Sequence, residues 1–238
     1  MTHGLTKIAA VGDLHVKEDG SISCRDLFSQ MSRDADVIVL AGDLTDLGKP
    51  AEARLLAEDL RACDVPVVAV LGNHDHQCEC VDEVSSILRN AGVHLLDGTA
   101  VELEGVTFAG VKGFIGGFGR HMLASFGEPA IKAMVTESLN EAIKLENALR
   151  QIRSDRSLAV LHYAPIAETI VGEPHEIWPF LGSARLGETV DRFSVSAVVH
   201  GHAHHGVHVG HTAGGIPVYN VARHLEKPQG RPYALLEI

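Results

Sequence analysis

Pro66-Val67-Val68-Ala69-Val70-Leu71-Gly72-Asn73-His74-Asp75 passes directly from an unbroken apolar run into a glycine and three polar side chains. An apolar run of this length without alternation reads as a strand buried on both faces, and the glycine lets the chain turn sharply where the run ends. A carboxamide, an imidazole and a carboxylate therefore emerge together at a strand end, which is where chemistry sits in α/β folds. Alone, the tetrapeptide also reads as a polar turn, because Asn and Asp are common turn residues. Its weight comes from four other apolar runs that end in clusters of the same kind.

Two of these lie upstream. Lys7–Val11 reads as a strand that empties into Gly12-Asp13-Leu14-His15, and 36–40 reads as a second that ends in Ala41-Gly42-Asp43-Leu44-Thr45-Asp46. Helices are expected between them, over 24–32 with Leu27, Phe28 and Met31 at helical spacing, and from Pro50 with Ala53, Leu56, Ala57 and Leu60 as the apolar stripe. The order β-α-β-α-β predicts a parallel sheet with right-handed crossovers, which brings the three clusters to one edge.

Downstream, Val81–Asn90 is predicted as a helix, followed by short strands over 93–96, 100–103 and 106–111, the last two joined at Glu104-Gly105 as a hairpin. The stretch 113–127, with Gly113, Gly116, Gly117, Gly119 and Gly127, reads as a mobile loop, and Pro129 opens a long helix reaching Ile152. We take 113–156 as a loop-helix insertion. A strand over 157–161 delivers His162, a helix is expected over 187–193, and a strand over 197–199 runs into His200-Gly201-His202-Ala203-His204-His205. Segments 206–210, 215–221 and 231–237 are predicted as closing antiparallel strands.

Nothing resembling a Pro/Ser-rich linker divides the 238 residues, so one domain spanning 1–238 is expected. No apolar run approaches the roughly 20 residues that cross a bilayer, and Met1 to Lys7 lack the regions of a signal peptide. A soluble, cytoplasmic protein without a membrane partner is the expectation. A net charge of −11 without a Lys/Arg cluster argues against a duplex nucleic-acid binder that works by phosphate neutralisation. Cys24, Cys63, Cys78 and Cys80 form no disulfide framework or C-x-x-C motif and read as reduced thiols. The 15 histidines exceed what a core needs, and their clustering suits transition-metal ligation.

Taken singly, each cluster has a bland explanation. Asp13, Asp43 and Asp46 suit turns, and a lone His162 suits a hydrogen-bonded core histidine. Asp13 with His15, and His202 with His204, share i, i+2 spacing, which in an extended segment points both side chains the same way and lets them converge on one ion. Together, D-x-H (Asp13, His15), G-D-x-x-D (Gly42, Asp43, Asp46), G-N-H-D (Gly72 to Asp75), His162 and G-H-x-H (Gly201, His202, His204) would require five coincidences.

This ordered set, spanning Asp13 to His204, resembles the calcineurin-like metallophosphoesterases. The resemblance implies a four-layer α/β/β/α sandwich with two mixed β-sheets and a binuclear metal site at the strand ends. It implies that Asp13, His15, Asp43 and His204 hold one metal and that Asp43, Asn73, His162 and His202 hold the other, with Asp43 bridging. The implied activity is hydrolysis of a phosphoester, as a phosphodiesterase or phosphomonoesterase, by a metal-bridging hydroxide attacking phosphorus in line. His74 is implied as the general acid, and Asp75 is expected to orient its imidazole through a hydrogen bond. Asp46 matches the motif but is not counted as a ligand.

The cofactors expected are two divalent transition-metal ions (Mn, Fe, Zn, Co or Ni), since the donors are nitrogen and oxygen without thiolate. The partner is a small-molecule or nucleotide phosphoester. Arg120 and His121 in the glycine-rich loop, and His205 beside the last motif, are candidates for substrate contact. A nuclease of the same family and a non-catalytic interaction module on this fold are the alternatives. Ile177, Trp178, Phe180 and Leu181 are candidates for an exposed patch; the sequence leaves the oligomeric state open.

Overall fold

The computed structural model describes residues 5–238. Its first half alternates strand and helix: β1 (Lys7–Val11), α1 (Arg25–Asp34), β2 (Val37–Ala41), α2 (Pro50–Asp59), β3 (Val67–Val70), α3 (Val81–Asn90) and β4 (Val93–Leu95). The four strands run parallel, with Ile8 opposite Val37, Ile38 opposite Val67, and Val67 opposite Val93. Parallel strands need crossovers, and the helices supply them.

β5 (Thr99–Leu103) and β6 (Val106–Gly110) then form an antiparallel hairpin. Glu104 and Gly105 both have positive φ, 50° and 73°, the double left-handed turn whose twist matches that of the flanking strands. The remaining elements are α4 (Pro129–Leu149), β7 (Ser157–Val160), α5 (Trp178–Leu181), α6 (Ala184–Val190), β8 (Ala197–His200), β9 (Val209–His211), β10 (Pro217–Asn220) and β11 (Ala234–Glu237).

Two mixed sheets result, ordered β11-β1-β2-β3-β4 and β5-β6-β7-β8-β10-β9. Alternation along the strands assigns the layers. From β1 and β2, Ala9, Val11, Ile38 and Leu40 face Phe28 and Met31 of α1 and Leu56 of α2. Their neighbours Ile8, Ala10, Val37 and Val39 face Phe108, Leu158 and Val199 of the second sheet. On the far side of that sheet, Ala109, Ala159 and Val198 pack under Leu145 and Leu149 of α4 and Leu186 of α6. The architecture is a four-layer α/β/β/α sandwich. Strands buried on both faces explain the unbroken apolar runs, and each buried Val, Leu or Ile contributes about 1.5–3 kcal/mol.

Three expectations change in detail. The closing segments are not all antiparallel: β11 and β9 are, against β1 and β10, whereas β10 runs parallel to β8. The glycine-rich stretch is tied down in its first part, where Gly116 N donates to the Pro179 carbonyl and Gly117 N to that of Gly182, both at 2.9 Å. In the expected apolar patch, Ile177 and Phe180 are exposed but Leu181 is buried against Ala164, Ile170 and Ala203. Among the described residues no helix is long and apolar enough to cross a membrane.

Candidate metal centre

The C-terminal ends of β1, β2, β3, β7 and β8 meet along one side of the sandwich, and each motif residue sits in the turn that follows its strand. These turns are sharp. Asp13, His15, Asp43 and His202 all have positive φ, 61°, 48°, 49° and 69°, a region that Asp, Asn and His enter more readily than other residues with a side chain. Such backbone costs about 1–3 kcal/mol each and persists where the surroundings impose it.

Close approach explains two of the glycines. Gly42, itself at φ +82°, lies under the His162 ring, and a Cβ there would collide with Nδ1; a Cβ on Gly72 would collide with Asp43 Oδ1.

Two groups of donor atoms assemble. In the first, Asp13, His15 and His204 converge, with His204 Nε2 3.0 Å from Asp13 Oδ1. In the second, Asp43, His162 and His202 converge, and the Asn73 side-chain oxygen lies 3.0 Å from His162 Nε2. Asp43 stands between the groups: Oδ1 is 3.4 Å from His162 Nε2, and Oδ2 is 4.0 Å from His15 Nε2.

Hydrogen bonds select the imidazole tautomers. His162 Nδ1 donates to the Ala41 carbonyl at 2.9 Å, which leaves Nε2 as a bare lone pair facing the Asn73 and Asp43 oxygens in the neutral ring. His202 Nε2 donates to the Phe180 carbonyl at 3.1 Å, leaving Nδ1 for the cluster. Both ring nitrogens of His15 are buried without a hydrogen-bond partner among the described residues.

The protonation of His15, His202 and Asp13 agrees with ligation, whereas the Asp13 hydrogen bond raises His204. Burial pushes His15 down to about 4 and His202 down to about 3, so both are neutral at neutral pH. Burial works to raise Asp13, but the His204 hydrogen bond and the surrounding imidazoles outweigh it and hold the carboxyl at about 2. Burial raises Asp43, with the like charge of Asp13 adding to the effect against the pull of His162. Lone pairs facing lone pairs, and buried carboxylates close together, are the arrangement a divalent cation relieves. The residues present therefore fit metal ions.

His74 presents Nε2 toward the same place, 4.0 Å from Asp43 Oδ2, and its Nδ1 donates to the Asp46 carbonyl at 2.6 Å. The expected bond from Asp75 to this ring is not the one formed. Asp75 is wholly buried and accepts from Leu44 N, Thr45 N, Thr45 Oγ1 and Gly72 N at 2.6–3.2 Å, joining the β2 and β3 turns. A carboxylate saturated by backbone donors orients the loops instead of the imidazole.

Sequence reasoning set Asp46 aside as a ligand, yet its carboxylate groups with His15 and His74 within ligating range, 3.9 Å from His15 Nδ1. The G-D-x-x-D spacing was the signal. Of the substrate-contact candidates, Arg120 is exposed on the turn Gly119–His121, the His121 side chain lies outside the described residues, and His205 is exposed with its backbone N donating to Glu173 at 2.8 Å. Neither Arg120 nor His205 lines the cleft beside the first donor group. Cys78 and Cys80 are free, with their sulfurs 3.4 Å apart just beyond the His74–His76 turn.

Comparison with known proteins places this geometry. A probable glycerophosphodiester phosphodiesterase GpdQ of Arcobacter nitrofigilis is 27% identical over 81 residues, covering 29% of this chain; the chain spans about 30% of that relative's length. Among solved structures, one crystal structure matches 98% of this chain and 95% of its own with a TM-score of 0.65 at 14% identity. The protein TT1561 of Thermus thermophilus matches 91% and 88% with a TM-score of 0.55 at 18% identity. A putative 5′-nucleotidase from Staphylococcus aureus matches 90% of this chain and 48% of its own, with a TM-score of 0.52 at 14% identity. At these identities the structures speak for the fold alone. Residues 6–206 match the family model of the calcineurin-like phosphoesterases, a span holding every strand-end cluster above, and the chain belongs to that family.

Proposed function

We propose that the chain hydrolyses phosphoester bonds of a small-molecule or nucleotide substrate with two divalent transition-metal cations. The observation that carries this reading is the convergence of Asp43 Oδ1, Asn73 Oδ1 and His162 Nε2 beside the His15 ring, whose nitrogens have no hydrogen-bond partner among the described residues. Asp13, His15, Asp43 and His204 would hold one cation, and Asp43, Asn73, His162 and His202 the other. Bound there, a pair of divalent cations acidifies water and neutralises phosphate oxygens.

The chain's own residues supply the rest. The Asp43 carboxylate has an oxygen for each group, and only an anionic, two-oxygen side chain can serve both. His74 holds a proton at Nε2 for the departing oxygen, its ring fixed through Nδ1 by the Asp46 carbonyl. The family match and the GpdQ relative support a phosphoester as substrate. A non-catalytic module has no use for a full donor set with a proton donor beside it.

The test is to strip metal, restore Mn²⁺, Fe²⁺, Zn²⁺, Co²⁺ or Ni²⁺ singly, and assay nitrophenyl phosphate and bis(nitrophenyl) phosphate. Metal-dependent turnover of either supports the reading. No turnover with any ion, together with no metal bound after equilibration, sinks it.

A further inference from the structure

Beside the Asp13, His15 and His204 group the surface opens into a cleft of about 670 Å³. That is ample for more than one phosphate, since pockets of about 300–1,000 Å³ hold whole small molecules. The donor group, His74 and Asp46 line it, and so do two permanent cations, Lys17 and Arg223.

Arg223 is the unusual one. It is half-buried, and among the described residues no carboxylate lies within ion-pairing distance of it, although the chain has 31 Asp and Glu against 20 Lys and Arg. The neighbour it does have there is the buried Cys24, a thiol and not a counter-ion. A half-buried arginine with no ion-paired carboxylate among the described residues, in a cleft of an acidic protein, is a site for an oxyanion from outside, which its planar fork binds bidentately.

The turn that carries it is fixed to the metal-side edge. Arg223 N donates to the Gly12 carbonyl at 3.0 Å, immediately before Asp13, and Ala222 bridges Gly12 in parallel. Lys227, 5% exposed, closes the turn by donating through Nζ to the Ala222 carbonyl at 2.7 Å. The guanidinium thus starts from a backbone position locked to the strand end that carries the first donor group.

We propose that this cleft is a second oxyanion subsite: the substrate is a phosphoester whose organic part carries a further oxyanion, phosphate or carboxylate, and Arg223 binds it with Lys17 adding charge. The substrate class rests on the phosphoesterase reading above. The reacting phosphate would meet the donor groups, and the second anion Arg223, which lines the same cleft.

The experiment compares ligands that differ by one anion, by calorimetry on metal-loaded protein. Adenosine 3′,5′-bisphosphate is set against adenosine 5′-monophosphate, and O-phosphoserine against O-phosphoethanolamine, so that phosphate and carboxylate are told apart. Wild type should bind the more anionic member of at least one pair tenfold or more tightly. Arg223→Gln should erase that difference, and Arg223→Lys should restore part of it. No preference in either pair, or a preference that survives Arg223→Gln, overturns the proposal. An equal loss for both members of a pair also overturns it, since Arg223 would then sit on the reacting phosphate. Nitrophenyl phosphate turnover by the same preparations tests the hydrolase reading separately: inactive protein that keeps the Arg223-dependent preference retains the subsite and loses the hydrolase.

Discussion

Gly72 and Asp43 sit so close at the ends of neighbouring strands that a Cβ on the glycine would collide with the carboxylate oxygen Oδ1. Gly72 lies outside the left-handed region, so the constraint is space and not backbone freedom. Gly72→Ala should push Asp43 out of place, cost about 1–3 kcal/mol by overpacking, and weaken metal binding tenfold or more. Metal content after dialysis, and the gain in Tm on metal addition, measure both effects. An alanine variant with unchanged metal content would show that the carboxylate can move without loss.

Asp43→Asn removes one of the two oxygens that face the donor groups, at 3.4 Å from His162 and 4.0 Å from His15. Turnover should fall by more than about 100-fold, beyond the loss typical of a group that only supports a ligand. Bound metal should drop toward one ion per chain. Metal analysis beside steady-state kinetics separates a lost ion from a lost activity.

His74→Ala should lower kcat by about 10²–10⁴ on alkyl phosphoesters, whose leaving oxygen needs a proton. Nitrophenyl esters, which leave as stable anions, should suffer far less. Rates across a series of leaving groups report this as a steeper dependence on leaving-group pKa, and an unchanged slope would remove His74 from the proton-donor role.

Asp75→Asn is expected to act on stability. Its carboxylate collects three backbone N–H groups and the Thr45 hydroxyl, and an amide nitrogen facing those donors would cost about 1–3 kcal/mol. Urea denaturation of the metal-free protein should show that loss, while the leaving-group slope stays as in wild type.

The metal-free protein should be acid-sensitive in a defined window. Burial lowers His200 to about 4, His15 to about 4 and His202 to about 3, against an ordinary value of 6.5. A histidine lowered in the fold favours the native state fully above 6.5, and that contribution is lost as pH falls through the folded value, because the unfolded chain binds the proton first. Each group adds a slope of up to about 1.4 kcal/mol per pH unit. Asp13, held at about 2 from 3.8, acts the same way but only below that window. Tm should therefore decline as pH falls from about 6.5 toward 4, with His204, raised by its Asp13 hydrogen bond, and the burial-raised Asp43 and Asp75 opposing part of the loss. Bound metal should delay the decline, since ligation competes with protonation.

The layers and the edge that carries the site were readable because β1, β2, β3, β7 and β8 are buried on both faces, so apolar runs such as Val67–Val70 stop sharply where chemistry begins. The direction of β10 was not readable. Four residues, Pro217–Asn220, carry no mark of whether their neighbour runs with or against them. The Asp75 expectation failed for a related reason: adjacency to His74 suggested a bond, but the partners of Asp75 come mostly from the β2 turn, some 30 residues earlier. Long-range hydrogen bonds leave no local pattern. Arg223 was missed likewise, since its significance is the want of a counter-ion in space among the described residues.

The left-handed turns at Asp13, His15, Asp43 and His202 bear on which substitutions these positions tolerate. Glutamate preserves the charge of aspartate, but it has no special ease in that backbone region, whereas asparagine and glycine do. Drift at positions 13 and 43 is thus steered by backbone geometry toward residues that weaken or abolish ligation while relaxing the chain. A descendant that lost its chemistry should carry Asn or Gly at these turns and fold more stably than its ancestor in the absence of metal.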